Sequence, residues 1–206
     1  TYLSRNYKKM KCNVIAGFNV SCIGDERAYS YLPSRYGNTL SDVVAKHVLK
    51  HLHPDFISYS FLDRGSDERQ YCSPGVDLPV CSIMRTKYGC YPEYHTSLDD
   101  LELVTPDGLL GGYNVLKTSI ECLESNETLC TEVLCEPQLG KKGLYPTIST
   151  KNSGSQVENM MNFLAYCDGI STNLEIAEKI NLPLWDLQCV IDKLKKAKLL
   201  SLVKSN

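Results

Sequence analysis

Residues 12–24, CNVIAGFNVSCIG, form an apolar, β-branched run closed by Gly24 and Asp25, a pattern that suits a buried strand better than a surface helix. A shorter strand candidate, YSYLPSRY, follows at 29–36 with Pro33 near its end. Across NTLSDVVAKHVLKHL the apolar residues fall at 40, 43, 44, 48, 49 and 52, which is helical spacing, with Thr39 or Ser41 as N-cap and Pro54 beyond the end. DFISYSFL at 55–62 and LPVCSIMRT at 78–86 are further strand candidates. GLLGGYNVLKTSIECLE predicts a long helix over 108–124, with positions 109, 110, 113, 116, 120 and 123 on one face. The order β, β, α, β, β, α predicts an α/β fold, a three-layer sandwich with a mixed sheet.

Around residues 136–156, EPQLGKKGLYPTISTKNSGSQ, periodicity gives way to Gly, Pro, Ser and Lys. The expected organisation is an α/β domain over 1–140, a linker over 141–154 and a second domain over 155–206. In that second domain SQVENMMNFLAYCDG predicts an amphipathic helix ending at Gly169, TNLEIAEKINL a short helix, and PLWDLQCVIDKLKKAKLLSLV a longer helix running into a strand. Three helices, a tight turn at NLP and a terminal strand predict a small winged-helix module.

Composition narrows the function classes. The 206 residues are 43% hydrophobic, enough for one core of ordinary size and a small second domain. A net charge of -2 gives no global attraction to nucleic acid or an anionic membrane. Apolar runs such as LPVCSIM and AKLLSLV fall well short of the roughly 18–20 residues needed to cross a bilayer. Ten cysteines are scattered without a CxxC pair, and no secretory leader pattern opens the chain, so reduced thiols and a cytoplasmic location are expected over a disulfide framework. The chain opens on Thr1 and runs quickly into an apparent core strand, which reads as a segment of something longer.

Candidate chemistry concentrates in two polar stretches, GSDERQYCSPGVDLPV at 65–80 and YPEYHTSLDD at 91–100. His95 stands in a loop-like context and not on an apolar face. Asp67, Glu68 and Arg69 bring two carboxylates and a guanidinium into one turn shaped by Pro74 and Gly75. Imidazole and carboxylate suit a divalent ion, whose bound water is the usual nucleophile in peptide hydrolysis. Standing alone, SDER would read as a solvated turn with a local ion pair. His47, His51 and His53 form an HxxxHxH pattern, but with Asp55 as the one nearby acidic partner they read as a surface helix end.

GFNVSCIGD, SRYGNT, SDERQYCSPGVDLPV and MRTKYGCYPEYHTSLDDL, with the C-terminal SGSQVENMMNFLAYCDG and LEIAEKINLPL, resemble the aminopeptidase-like family associated with polysaccharide biosynthesis. That family is related to the zinc aminopeptidases and carboxypeptidases, and the resemblance is to its C-terminal part. It implies His95 as a zinc ligand. Asp67, Glu68 and Arg69 lie where related enzymes carry a pocket-lining Ser-Asp-His motif, which implies substrate binding there, with Arg69 or Tyr71 orienting a peptide or small amide. The remaining ligands and the catalytic Glu belong, by the same resemblance, to a preceding half that residues 1–60 do not supply. Di-zinc relatives also carry an Asp where this chain has Ser21 and Cys22, which implies a single zinc; Asp25 is an outside candidate ligand that reads better as a turn former. The expectation is a chain that is inactive alone and binds zinc weakly or not at all.

Two non-enzymatic readings compete. A degenerate peptidase fold could serve as a binding scaffold in polysaccharide biosynthesis, with Tyr71, Tyr88, Tyr91 and Tyr94 as pocket walls. Lys193, Lys195, Lys196, Lys198 and Lys204 could meet DNA phosphates, yet Asp186 opens the putative recognition helix and no base-reading Arg or Asn follows. Packing or homo-oligomerisation is therefore favoured over DNA binding for the winged helix.

Overall fold

The computed structural model describes residues 2–144 and 153–203. The chain divides into two compact units, 1–120 and 121–206. In the first unit the elements are α1 (Tyr2–Asn13), β1 (Gly17–Val20), β2 (Ser30–Leu32), α2 (Leu40–Leu52), β3 (Ile57–Ser58), α3 (Glu68–Tyr71), β4 (Val80–Met84) and α4 (Pro106–Glu124), the last turn of α4 holding the division. The sheet has the order β1-β4-β2-β3, with β1 parallel to β4, β2 antiparallel to β4 and β3 parallel to β2. The unit is α/β with a mixed sheet, as the element pattern predicts.

β4 is the centre of this sheet. All five of its residues are buried, which is why VCSIM reads as a nearly continuous apolar run and lacks a period of two. β1 is shorter than the 12–24 run suggests, because α1 extends through Asn13 and the chain leaves the sheet after Val20. α1 escapes the hydrophobic pattern because few of its residues touch the core. Leu3 and Met10, joined by Val14 just past the helix, pack on the cluster of Cys72, Leu78 and Val80. β3 shrinks to two exposed residues, followed by a 3-10 turn over Phe61–Asp63.

α2 follows its prediction, with Thr39 as N-cap. The Asp42 carboxylate, fully buried, accepts hydrogen bonds from the Tyr31 hydroxyl (2.7 Å), the Ser34 amide and hydroxyl, and the Thr39 amide and hydroxyl. It therefore ties the helix start to the end of β2 and the turn that follows. Burial alone would raise the Asp42 carboxyl, but the donors from Ser34, Thr39 and Tyr31 outweigh it and hold it below the ordinary range. α4 begins with Pro106 in the first turn and Thr105 Oγ1 accepting from the Gly108 amide. A Cβ at Gly108 would stand 1.9 Å from the Gly24 carbonyl oxygen, so the absence of a side chain lets α4 rest on the backbone after β1.

The second unit contains β5 (Thr128–Thr131), α5 (Ser153–Leu164), β6 (Asp168–Thr172), α6 (Asn173–Ile180), α7 (Leu184–Lys196) and β7 (Leu200–Leu202). β5 lies between β6 and β7 in an antiparallel sheet. This unit begins earlier than the expected 155, since β5 pairs with strands of the winged helix; most of the expected linker lies outside the described residues. α5 ends at Leu164 and not at Gly169, which instead has φ +79° within β6, next to the register shift against β5. Thr172 caps α6 with a reciprocal bond from its amide to Glu175, and Asn181 closes the helix in the left-handed region. All ten cysteines are free. Among the described residues no helix is long and apolar enough to cross a membrane.

Replacing Asp42 by Ala strands buried donors on three segments. The expected cost is about 3 kcal/mol of stability, read as a lowered midpoint in urea unfolding.

Candidate functional site

The segment after β1, residues 21–25, forms one wall of a cleft of about 530 Å³ whose other walls include Ser66, Tyr91, Tyr94, His95 and Asp99. The position follows a general rule of open α/β sheets, in which ligands bind outside the carboxyl ends of strands. The chain is shaped there at some cost. Cys22 and His95 both have positive φ, 49° and 59°, a region that non-glycine residues enter uncommonly, His more often than Cys.

Each of these residues is held from several sides. The Cys22 carbonyl accepts from the Arg85 amide (2.8 Å), and the Tyr91 hydroxyl lies 3.5 Å from Cys22 Sγ. Burial, with the Cys22 contact second, pushes the Tyr91 hydroxyl above its ordinary value. His95 stacks on Tyr94, ring centroids 4.0 Å apart, and Tyr94 meets Tyr91 edge-on at 5.6 Å. The backbone around His95 is a tight turn, with the Thr96 amide and hydroxyl both donating to the Glu93 carbonyl. Arg27 grips the Glu93 side chain with two bonds of 2.9 and 2.7 Å, and this pairing holds the Glu93 carboxyl down to about 2.

The 65–71 turn supplies Ser66 to the cleft and, contrary to expectation, hides Glu68. Glu68 is fully buried and accepts from the Gly65 and Ser66 amides, the Tyr88 hydroxyl (2.6 Å), Asn19 Nδ2 on β1 and Ser82 Oγ on β4. A carboxylate committed to five donors inside the fold has nothing left for a substrate, so its role is to fasten the turn to the sheet. Asp67 and Arg69 are exposed beside Ser66, while Tyr71 packs against Cys72, Leu78 and Val80. Asp25 is buried and accepts from the Arg27 amide and the Thr86 amide and hydroxyl, which makes it a turn former. In α2, His47 is buried and not at the surface, and its ring meets that of His51 edge-on; His53 stacks on Tyr29.

Zinc requires three or four donors converging on one point. Among the described residues, no group of three His, Cys, Asp or Glu side chains placed to hold a metal ion includes His95. His95 therefore has too few convergent donors around it among the described residues for a complete zinc shell.

Residues 1–126 match the family described as Domain of unknown function (DUF4910), and residues 126–202 match a winged helix-turn-helix. A Clostridium acetobutylicum protein named "Putative polysaccharide biosynthesis protein with aminopeptidase-like domain" is 37% identical over 205 residues, 98% of this chain. The chain belongs to the DUF4910 family over residues 1–126. A crystal structure of a "putative peptidase" from the same organism superposes with a TM-score of 0.87 at 35% identity, over 98% of this chain. The chain spans 47% of the first relative's length and 45% of the second's. The DUF4910 match takes in the whole cleft, and the tyrosine stack that supports His95 was legible as residues but not as an arrangement.

Burial would raise the Glu68 carboxyl, but the Tyr88 hydroxyl and the Ser66 and Gly65 amides together bring it below the ordinary value. A lowered folded pKa contributes stability that is complete above the unfolded value, about 4.3, and is lost as pH falls through the folded value. Glu68→Gln is therefore expected to cost about 3 kcal/mol at neutral pH and to show a shallower loss of stability on acidification than the parent. Urea unfolding at pH 7 and at several points down to pH 3 measures both.

Proposed function

We propose that this chain is part of a zinc-dependent aminopeptidase-like hydrolase acting on a peptide or amide bond. It supplies one metal ligand, His95, and one wall of the substrate cleft. The observation that carries the reading is the placing of His95, stacked on Tyr94 in a clamped turn, at the cleft beyond the carboxyl end of β1. Relatives about twice as long leave room for the missing ligands and the general base in sequence outside this chain. A bound zinc would supply Lewis-acid polarisation of the scissile carbonyl. The residues of this chain orient: Tyr94 supports the His95 ring, and Asp67 and Arg69, exposed and next in sequence to the cleft residue Ser66, are the side chains of that turn available to a substrate.

The incomplete donor set favours one alternative, a degenerate fold kept as a binding scaffold in polysaccharide biosynthesis. For the winged helix we favour packing or self-association over DNA binding. Asp186 sits in the first turn of α7, and Lys195 in its last turn is already paired with Glu127. Lys204 lies outside the described residues.

The test is elemental zinc content together with dipeptide hydrolysis, on this chain and on the longer protein that contains it. His95→Asn is the informative variant, because Asn tolerates the left-handed backbone that His95 adopts. About one zinc per longer chain, lost with activity in His95→Asn, is the expected result, with little zinc on the 206 residues alone. Zinc retained by the variant, or absent from the longer protein, would replace the hydrolase with the scaffold.

A further inference from the structure

Arg85, the first residue after β4, is a buried cation with little to bind. Its residue exposure is 5%, and its Nε donates to the Ala28 carbonyl at 2.9 Å. The guanidinium carbon lies 3.8 Å over the Tyr29 ring, and the same ring stacks on His53 with centroids 3.5 Å apart. A Cβ at Gly111 would stand 2.3 Å from Nη1, so the α4 backbone closes one side. Among the described residues no carboxylate oxygen comes within 4.0 Å of the guanidinium, and no other acceptor takes its hydrogen bonds.

A guanidinium carries five N–H donors. Asp42 and Glu68, two of the buried carboxylates of the same unit, are each surrounded by five donors, and Asp25 by three. Arg85 has one acceptor for its five. Its Nη groups are not among the sealed, unpartnered polar atoms of the described residues, so they open on space that an acceptor from outside can enter. The place for that acceptor is a pocket of about 250 Å³, which Arg85 lines together with Tyr29, His53, Asp55, Glu26 and Arg27. Arg27 is occupied by Glu93, and Glu26 accepts from Thr105, which leaves Arg85 as the cation free to bind there.

We propose that this pocket binds a small carboxylate-bearing ligand of α-amino acid type. The planar carboxylate matches the guanidinium fork, which the Tyr29 ring, sandwiched between Arg85 and His53, holds in place. A volume of about 250 Å³ matches a ligand the size of a free amino acid. Glu26 and Asp55 disfavour a doubly charged phosphate far more than a monoanion, and Asp55, exposed and without a hydrogen bond among the described residues, suits an ammonium group beside the carboxylate. The site involves neither His95 nor the 530 Å³ cleft, so it stands apart from the hydrolase reading.

Calorimetric titration of the protein with glycine, acetate and inorganic phosphate tests the proposal. Glycine is expected to bind saturably and more tightly than acetate, with phosphate weakest. Arg85→Lys keeps a cation over Tyr29 but loses the fork, and glycine should bind at least tenfold more weakly. Asp55→Asn, an exposed change that leaves folding untouched, should weaken glycine while tightening acetate. His95→Asn should alter neither, which separates this site from a product bound in the cleft. Absence of saturable glycine binding, equal binding by Arg85→Lys, weakening by His95→Asn, or a preference for phosphate would each overturn the assignment.

Discussion

A carboxylate taken fully out of water must be met by donors from the fold, and Glu68 gathers its donors from four places at once. Asn19 comes from β1, Ser82 from β4, the two amides from the 65–66 turn, and the hydroxyl from Tyr88. The position of the turn relative to the sheet is consequently fixed by charge and not by apolar contact, which a four-residue helix could hardly supply. Tyr88, drawn to the carboxylate, packs with Leu32 and Met84, and Tyr94 rests against that cluster. From Tyr94 the ring of His95 follows. One buried charge thus stands behind both the Ser66 wall of the cleft and the aromatic support of its histidine.

Asp42 plays the same part where β2 and its following turn meet the start of α2. Two acidic residues therefore do what longer strands do in a more regular sheet. With β1 four residues long, β2 three and β3 two, ladder hydrogen bonds alone give little register, and side-chain acceptors of multiple amides and hydroxyls set the loops between strands.

How much of this could be read from the sequence depended on how each element buries itself. α2 carries a wide apolar face and was legible nearly to the residue; α4 was legible in its span but not in its orientation, since Gly108, Gly112, Val115, Ser119 and Cys122 form its buried side and Leu109, Leu110, Tyr113 and Ile120 of the expected face are exposed. β4, buried throughout, showed as an apolar run. α1 did not, because its thin stripe of Leu3 and Met10 is lost among Lys, Arg and Tyr. β5 was also missed: TLCT is too short to alternate, and it becomes a strand because β6 and β7 flank it. At the site, His95 was identifiable by resemblance, but a surface turn and a buried anchor look alike in SDER. Spacing does not reveal that the middle residue points inward; it takes Asn19 and Ser82, some fifty and fourteen positions away, to make it so.

The cleft presents strained backbone beside a donor set that is incomplete, and these two features bear on each other. A residue stays in the left-handed region only when its surroundings over-determine it. His95 is so determined entirely by groups of this chain: the Tyr94 ring, the Glu93–Thr96 turn and, through Glu93, Arg27. Cys22 is held likewise by Arg85 and Tyr91. The geometry of this wall is therefore set before any further ligand arrives, and a metal shell completed from outside these 206 residues would meet a histidine already in place.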